Sequence, residues 1–279
     1  MRRSPMSETS IPDTRPAVPL RLDPSLPPVI ERHAQGRSAF LFTGDHYGRL
    51  VPPQLGDLGV PASEWERHIA CDIGIAGVAE RLAKLLDAQM IAQRYSRLVI
   101  DCNRPPEAAS SIPVISEATG IPGNVGLTTA QAAERRALIF DPYHDRINAA
   151  IDARVAAGRP TVLVALHSFT PSYSDVARPW HIGTLYQHDR VLPPLLLAAL
   201  RAETALVVGD NQPYGVSDDS DYTIPVHGER RGLINSGIEI RQDLIADEAG
   251  QQAWAERLAR AFASIEAALR ARGFISSAD

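Results

Sequence analysis

Short apolar runs that read as buried strands alternate along this chain with longer stretches whose apolar positions recur at helical spacing. Residues 38–44 form one such run and lead into Asp45-His46, and residues 161–166 form a second that leads into His167. Residues 236–242 alternate, so Glu239 and Arg241 share one face while Ile238 and Ile240 share the other. Further strands are predicted over 89–95, 98–102, 182–186 and 204–209. A helix is predicted from near Ser63, where Glu66 completes a capping-box pattern, with Ile75, Val78, Leu82 and Leu85 as its apolar positions. Others are predicted from Thr128-Thr129 to about residue 157 (Ile147, Ile151 and Val155 buried), over 192–202, and over 248–272 with Trp254, Leu258, Phe262, Ile265 and Leu269 as the core stripe. Residues 105–126 and 210–221 carry turn-forming residues and read as loops. The first is long enough to act as a lid.

Strands alternating with helices in 279 residues, 44% of them hydrophobic, predict one α/β domain over 37–279. Residues 1–36, rich in Pro, Arg and Ser, are expected to form a mobile leader. They lack the apolar stretch of a secretory signal, and no apolar run is long enough for a membrane span, so a cytoplasmic location is expected. The net charge of −5 comes without a basic stripe, which argues against nucleic acid or an anionic membrane as partner. The two cysteines, Cys71 and Cys102, form no CxxC pair and suit a structural role in a reducing compartment. A monomer or small homo-oligomer is expected. There is no nucleotide-binding glycine motif, and Ser168 sits in no nucleophile elbow.

Open α/β sheets bind ligands beyond the carboxyl ends of their strands. His46, flanked by Gly44 and Gly48, and His167 both fall there. His68 and Asp72, four residues apart near the predicted helix start, share a face, and either could complete a three-ligand metal site with a position left for water; the alternative is a His–Asp brace on that helix. Glu239 beside a metal could act as base and then acid, and Arg241 could stabilise an oxyanion or hold a second carboxylate. Arg97, Asp101, Asn103 and Arg104 interrupt an apolar run. Arg97 and Asp101 read as an internal ion pair, and Asn103 and Arg104 as a grip on a substrate carboxylate. His181 and His227 read as supporting residues of the pocket, with His227 placed among the substrate-binding candidates.

Six ordered segments carry a family resemblance: Gly44-Asp45-His46, residues 66–74, 95–105, 165–171, 209–214 and 238–245. Together they resemble the N-formylglutamate amidohydrolase family over residues 38 to about 274. The resemblance implies a three-layer α/β/α fold of the zinc-exopeptidase type with a mixed central sheet. It implies a metal-dependent hydrolase, with Zn2+ or another divalent transition metal, acting on a small acidic N-acyl amino acid such as N-formyl-L-glutamate and releasing formate in amino-acid catabolism. By the same resemblance His46 and His167 are metal ligands, Glu239 the catalytic carboxylate, and Asn103-Arg104 the carboxylate grip; Arg97 joins the substrate-binding set. The second ligand is Asp72, with His68 as the alternative. Two other readings stand beside this one: hydrolysis of a peptide or other N-acyl amide, and a small-molecule binding protein with a degraded metal site.

Overall fold

The structure is a computed structural model that describes residues 19–276. Eleven strands and five helices follow in chain order: β1 Val29–Arg32, β2 Phe40–Gly44, α1 Ile75–Leu86, β3 Gln89–Gln93, β4 Ile115–Ser116, β5 Thr119–Gly120, α2 Thr129–Arg135, α3 Asp141–Ala156, β6 Val162–Phe169, β7 Ser172–Tyr173, β8 Val176–Ala177, β9 Ile182–Leu185, α4 Leu192–Arg201, β10 Val208–Asp210, β11 Ile234–Arg241 and α5 Glu248–Ala271. Seven strands form one sheet in the order β1-β3-β2-β6-β11-β9-β10. Strands β3, β2, β6 and β11 run parallel, β1 is antiparallel to β3 and β9 to β11, and β10 is parallel to β9, so the sheet is mixed. This is the expected α/β architecture.

Each face of the sheet has its own core, giving three layers. On one face Phe40, Phe42, Met90, Val164, Ile238 and Ile240 pack with α1, α4 and α5. On the other, Leu41, Ile91, Leu163 and Ala165 pack with Tyr143, Ile147 and Ile151 of α3. Alternate residues of one strand thus feed opposite cores, as period-2 geometry demands. Helix α5 begins where the Asp247 carboxylate accepts from the Gly250 N–H at 2.7 Å. It buries the predicted stripe of Trp254, Leu258, Phe262, Ile265 and Leu269.

Several expectations are corrected. The helix predicted near Ser63 is only a short 3-10 turn, Ala62–Glu66, without a side-chain cap; Glu66 pairs with Arg49 instead. Helix α1 starts after Gly74, whose left-handed conformation brings it so close to Ile245 that a Cβ would lie 2.0 Å from the carbonyl oxygen. His68 and Asp72 are therefore in irregular chain, and the shared helical face does not exist. Residues 98–102 are not a strand. Ser96 accepts from Leu98 N–H and Val99 N–H, and turns the chain, while Leu98, Val99 and Ile100 enter the second core. Leu85 and Val155 are exposed, at 49% and 61%. The long loop over 105–126 contains the β4–β5 hairpin. Of the expected leader, residues 1–18 lie outside the described residues, and Val29–Arg32 pair with β3 as an edge strand. Among the described residues no helix is long and apolar enough to cross a membrane.

Phe262 lies 4.6 Å from the Phe40 ring and 5.4 Å from the Phe42 ring, centroid to centroid. Phe262→Ala is expected to lower stability by about 3–5 kcal/mol, read from denaturant melts, because α5 cannot collapse onto the vacated space.

Candidate active site

Three adjacent parallel strands, β2, β6 and β11, end at a cavity of about 540 Å³. His46 lies two residues past β2. Gly48 lets the chain turn there: a Cβ at Gly48 would lie 1.9 Å from the Arg94 carbonyl oxygen, so no side chain fits. His167 lies within β6 rather than after it, directly opposite Glu239 of β11. Asp72 reaches both histidines because its backbone N–H donates to the His46 carbonyl at 3.0 Å, which ties the irregular 67–74 segment to the end of β2.

One ligand atom from each of His46, Asp72 and His167 lies within 4.8 Å of the other two, and all three residues are buried. His46 Nδ1 points at Asp72 Oδ1 from 3.4 Å and has no hydrogen-bond partner. Its other nitrogen, Nε2, is 2.7 Å from Asp101 Oδ1. His167 has the same arrangement, with Nδ1 at 2.9 Å from Asp72 Oδ2 and Nε2 at 3.1 Å from Asp45 Oδ2. Each histidine thus turns one nitrogen inward and fixes the other on a carboxylate, the outer support that metal-ligating imidazoles have. Asp45 is itself held by Tyr143 and Thr223 hydroxyls, each donating at 2.7 Å. Asp72, not His68, completes the set. His68 sits at the rim, 3.1 Å from Glu117.

Burial and mutual charge set the electrostatics of these groups. Burial works against the charge of Asp72, but His46 and His167 outweigh it and hold the carboxyl well below the usual range. Burial likewise opposes ionised Asp101, and Arg97 with His46 overcomes it. Glu239 behaves differently: burial, aided by the charge of Asp72, pushes its carboxyl up to about 7, against the pull of His167, His46 and Arg97. Its Oε2 has no hydrogen-bond partner. A carboxyl poised near neutrality beside a candidate metal centre suits proton transfer in both directions.

The other predicted residues separate into two groups. Arg97, Asn103, Arg104 and His68 line the cavity with the cluster. Arg97 forms the expected pair with Asp101, its Nη2 donating at 2.7 Å. Asn103 is a brace more than a free grip: Oδ1 accepts from Tyr222 and Thr223 N–H at 3.0 and 3.1 Å, and Nδ2 donates to Asp221 at 3.1 Å. Arg241 and His227 do not line the cavity. Arg241 is taken up by Asp243 at 2.8 Å, since β11 ends there and turns its side chain away. His227 is fully buried behind the site, between His144 at 2.8 Å and Asn148 at 3.0 Å. His181 accepts through Nδ1 from Val207 N–H at 2.9 Å. Sequence reading missed the supporting part of Asp45, Tyr143 and Thr223; the only local signal was an acid immediately before His46.

An α/β sheet with a buried His–Asp–His cluster at the carboxyl ends of its parallel strands, and a carboxyl raised toward neutrality alongside, makes a candidate hydrolase centre whose residues could hold a metal ion. The N-formylglutamate amidohydrolase family model matches residues 38–246, and the chain belongs to that family of amide-bond hydrolases. Among solved structures it is similar to gene product Atu2144 from Agrobacterium tumefaciens, with 38% identity, a TM-score of 0.84, and coverage of 88% of this chain and 96% of that one. It shares its fold with N-formylglutamate amidohydrolase from Ralstonia eutropha JMP134, at 19% identity and a TM-score of 0.64, covering 88% of this chain and 99% of that one. No curated protein matches the sequence.

The buried pair behind the site gives a stability prediction. Burial pushes His144 down to about 3 and His227 down to about 4 from an ordinary 6.5. The unfolded chain binds those protons first, so these groups cost stability as pH falls from about 6.5 toward 4. Replacing one should make the slope of unfolding free energy against pH shallower by about 1.4 kcal/mol per pH unit. Chemical denaturation of wild type and His227→Asn across that window measures the difference. Titration of Glu239 runs the opposite way in both proteins and cancels. Equal slopes would show that His227 is not held neutral.

Proposed function

We propose that this chain is a metal-dependent amidohydrolase that cleaves the amide of a small N-acyl amino acid. The observation that carries this reading is the unpartnered His46 Nδ1, turned toward Asp72 while Asp101 holds the opposite nitrogen. A buried imidazole nitrogen left without a partner is costly unless something occupies the space it faces. Two imidazoles and one carboxylate are a donor set that zinc accepts, and one that also suits other divalent transition metals. His46, Asp72 and His167 would hold the ion.

When bound, the ion lowers the pKa of water and polarises the acyl carbonyl. Glu239 takes the proton from the attacking water. The water oxygen bonds to the acyl carbon, the C–N bond breaks, and Glu239 returns the proton to the leaving nitrogen. A group near pH 7 can do both within one turnover. Asp101 and Asp45 keep the imidazoles oriented. Arg104 receives the substrate α-carboxylate, with Asn103 fixing the 221–223 backbone beside it. The family name makes N-formyl-L-glutamate the reference substrate, with formate and glutamate as products.

Protein purified without chelator is expected to hold about one divalent metal ion per chain, with zinc first, and to release formate from N-formyl amino acids. His167→Ala should lose metal affinity by at least about 100-fold and lose turnover with it. Glu239→Gln should keep the metal, while its kcat drops by about 10²–10⁴-fold. Full metal occupancy and activity in His167→Ala would sink the site assignment.

A further inference from the structure

Arg241, read from the sequence as a possible holder of a second carboxylate, is spent on Asp243 outside the cavity. A different arginine reaches the cavity wall, through two tyrosines. Past His167 the chain leaves β6 and folds back as the β7–β8 hairpin, closed at its base by Arg178 N–H donating to the Pro171 carbonyl at 2.8 Å. The Arg178 guanidinium lies 4.8 Å from the Tyr173 ring centroid and 4.9 Å from that of Tyr214. Its Nη1 donates to the Tyr214 hydroxyl at 2.8 Å. Both tyrosines line the cavity. Arg241 meets this group only through its Nη1, 3.5 Å from the Arg178 carbonyl.

The backbone before Tyr214 is fixed against the sheet. Gly183 of β9 stands opposite Glu239 of β11, so a side chain there would share the face that Glu239 occupies. The Gln212 carbonyl takes that space: a Cβ at Gly183 would lie 1.9 Å from its oxygen. Asn211 holds the same turn, its N–H donating to the Thr184 carbonyl at 3.0 Å and its Oδ1 accepting from Tyr186 N–H at 2.8 Å. The chain thus crosses the face of the sheet that carries Glu239 and delivers Tyr214 two residues later. Burial, aided by the charge of Glu239, raises the Tyr214 hydroxyl above its ordinary 10, against the pull of Arg178. The hydroxyl therefore stays protonated at neutral pH. Its oxygen accepts from Arg178, and its hydrogen has no acceptor among the described residues. A donor whose oxygen already accepts from a cation is a strengthened donor.

The other cations at the cavity have acidic partners. Arg97 is on Asp101 and Asp72, His68 is on Glu117, and Arg104 stands 4.0 Å from Asp221. Arg178 has no carboxylate partner among the described residues; rings and a hydroxyl surround it. Arg104 and Arg178 also mark the two ends of one wall. The segment from Tyr214 to Asp221 meets Arg178 at its start and Arg104, through the Ser220 carbonyl, near its end.

We propose that Tyr214, with Arg178 behind it, receives the distal carboxylate of an N-acyl dicarboxylic amino acid. Tyr214 touches the substrate, and Arg178 is a positioning residue that acts through it. The inference rests on the hydrolase reading above and adds the residues that select an acidic side chain. Arg104 takes the α-carboxylate at one end of the wall and Tyr214 the side-chain carboxylate at the other. The substrate is then held at two points beside Glu239, which orients its amide for attack.

Steady-state kinetics of the metal-loaded full chain test this with N-formyl-L-glutamate, N-formyl-L-glutamine and N-formyl-L-norleucine, followed by release of the free amino acid. Wild type should favour the glutamate compound over both others in kcat/KM by about tenfold or more. Tyr214→Phe removes the donor and should cut the glutamate-over-norleucine ratio by about 10–100-fold. Arg178→Met keeps a chain between the rings without the charge and should cut the glutamate-over-glutamine ratio by about tenfold. Arg178→Lys, which keeps the charge, should restore part of that ratio. The losses on the glutamate compound should fall on KM more than on kcat, as for binding shared by ground and transition states. Unchanged ratios in Tyr214→Phe and Arg178→Met, or equal falls for all three substrates, overturn the subsite and leave the hydrolase reading intact. So does a wild type without preference for the glutamate compound. No amino acid released from any probe by metal-loaded protein overturns the hydrolase reading itself, and the subsite with it.

Discussion

The two buried imidazoles at the centre of the cavity are held in place by carboxylates. His46 rests on Asp101 and His167 on Asp45, and Asp72 stands between them. A buried carboxylate needs compensating charge or donors, and so does an imidazole whose nitrogens are shut off from water. Each group here supplies what the other lacks. Removing one partner would leave an uncompensated charge, so the cluster stands or falls as a unit. The surrounding structure answers to this need. Tyr143 comes from the α3 layer and Thr223 from the loop before β11, both to satisfy Asp45. Arg97 turns back on Asp101, and the 220–223 segment is stapled to Asn103 and Arg104.

The sheet makes such a cluster possible. Strands β2, β6 and β11 are parallel neighbours, so their carboxyl ends deliver side chains to one edge at the strand spacing. Both faces are covered by apolar layers, which keeps that edge rigid while the loops beyond it remain polar. The same two strands that carry His167 and Glu239 carry Ala165 and Gly237 one repeat earlier.

Much of this is legible in the chain. The amphipathic stripe of α5, the alternation in β11 and the apolar runs of β2 and β6 are local patterns with one good structural solution each. Those patterns alone put His46, His167 and Glu239 near strand ends, and the six ordered segments point to the family. Errors arise where short-range signals compete with long-range contacts. Ser63 and Glu66 have capping-box spacing, yet the chain there follows Gly74 and its close approach to Ile245. Residues 98–102 are as apolar as a strand, but Ser96 turns the chain and they fill the second core from that turn. Arg241 shares its strand face with Glu239, but it stands at the last position of the strand, where Asp243 takes up its guanidinium outside the cavity.

The sequence by itself determined the strands that carry His167 and Glu239, the longest helix and the residue types available for chemistry, because periodicity and composition act over a few residues. Only the tertiary structure decided which of them meet. Asp72 became the third member of the cluster through a backbone hydrogen bond to His46, and His68 was left at the rim. Asp45 and Asp101 became supports for the imidazoles, and His227 was buried behind the site with His144. Those outcomes depend on register between strands and on contacts between residues far apart in the chain, where a few ångströms separate a ligand from a bystander. Periodicity encodes which way a side chain faces, but not what stands opposite it.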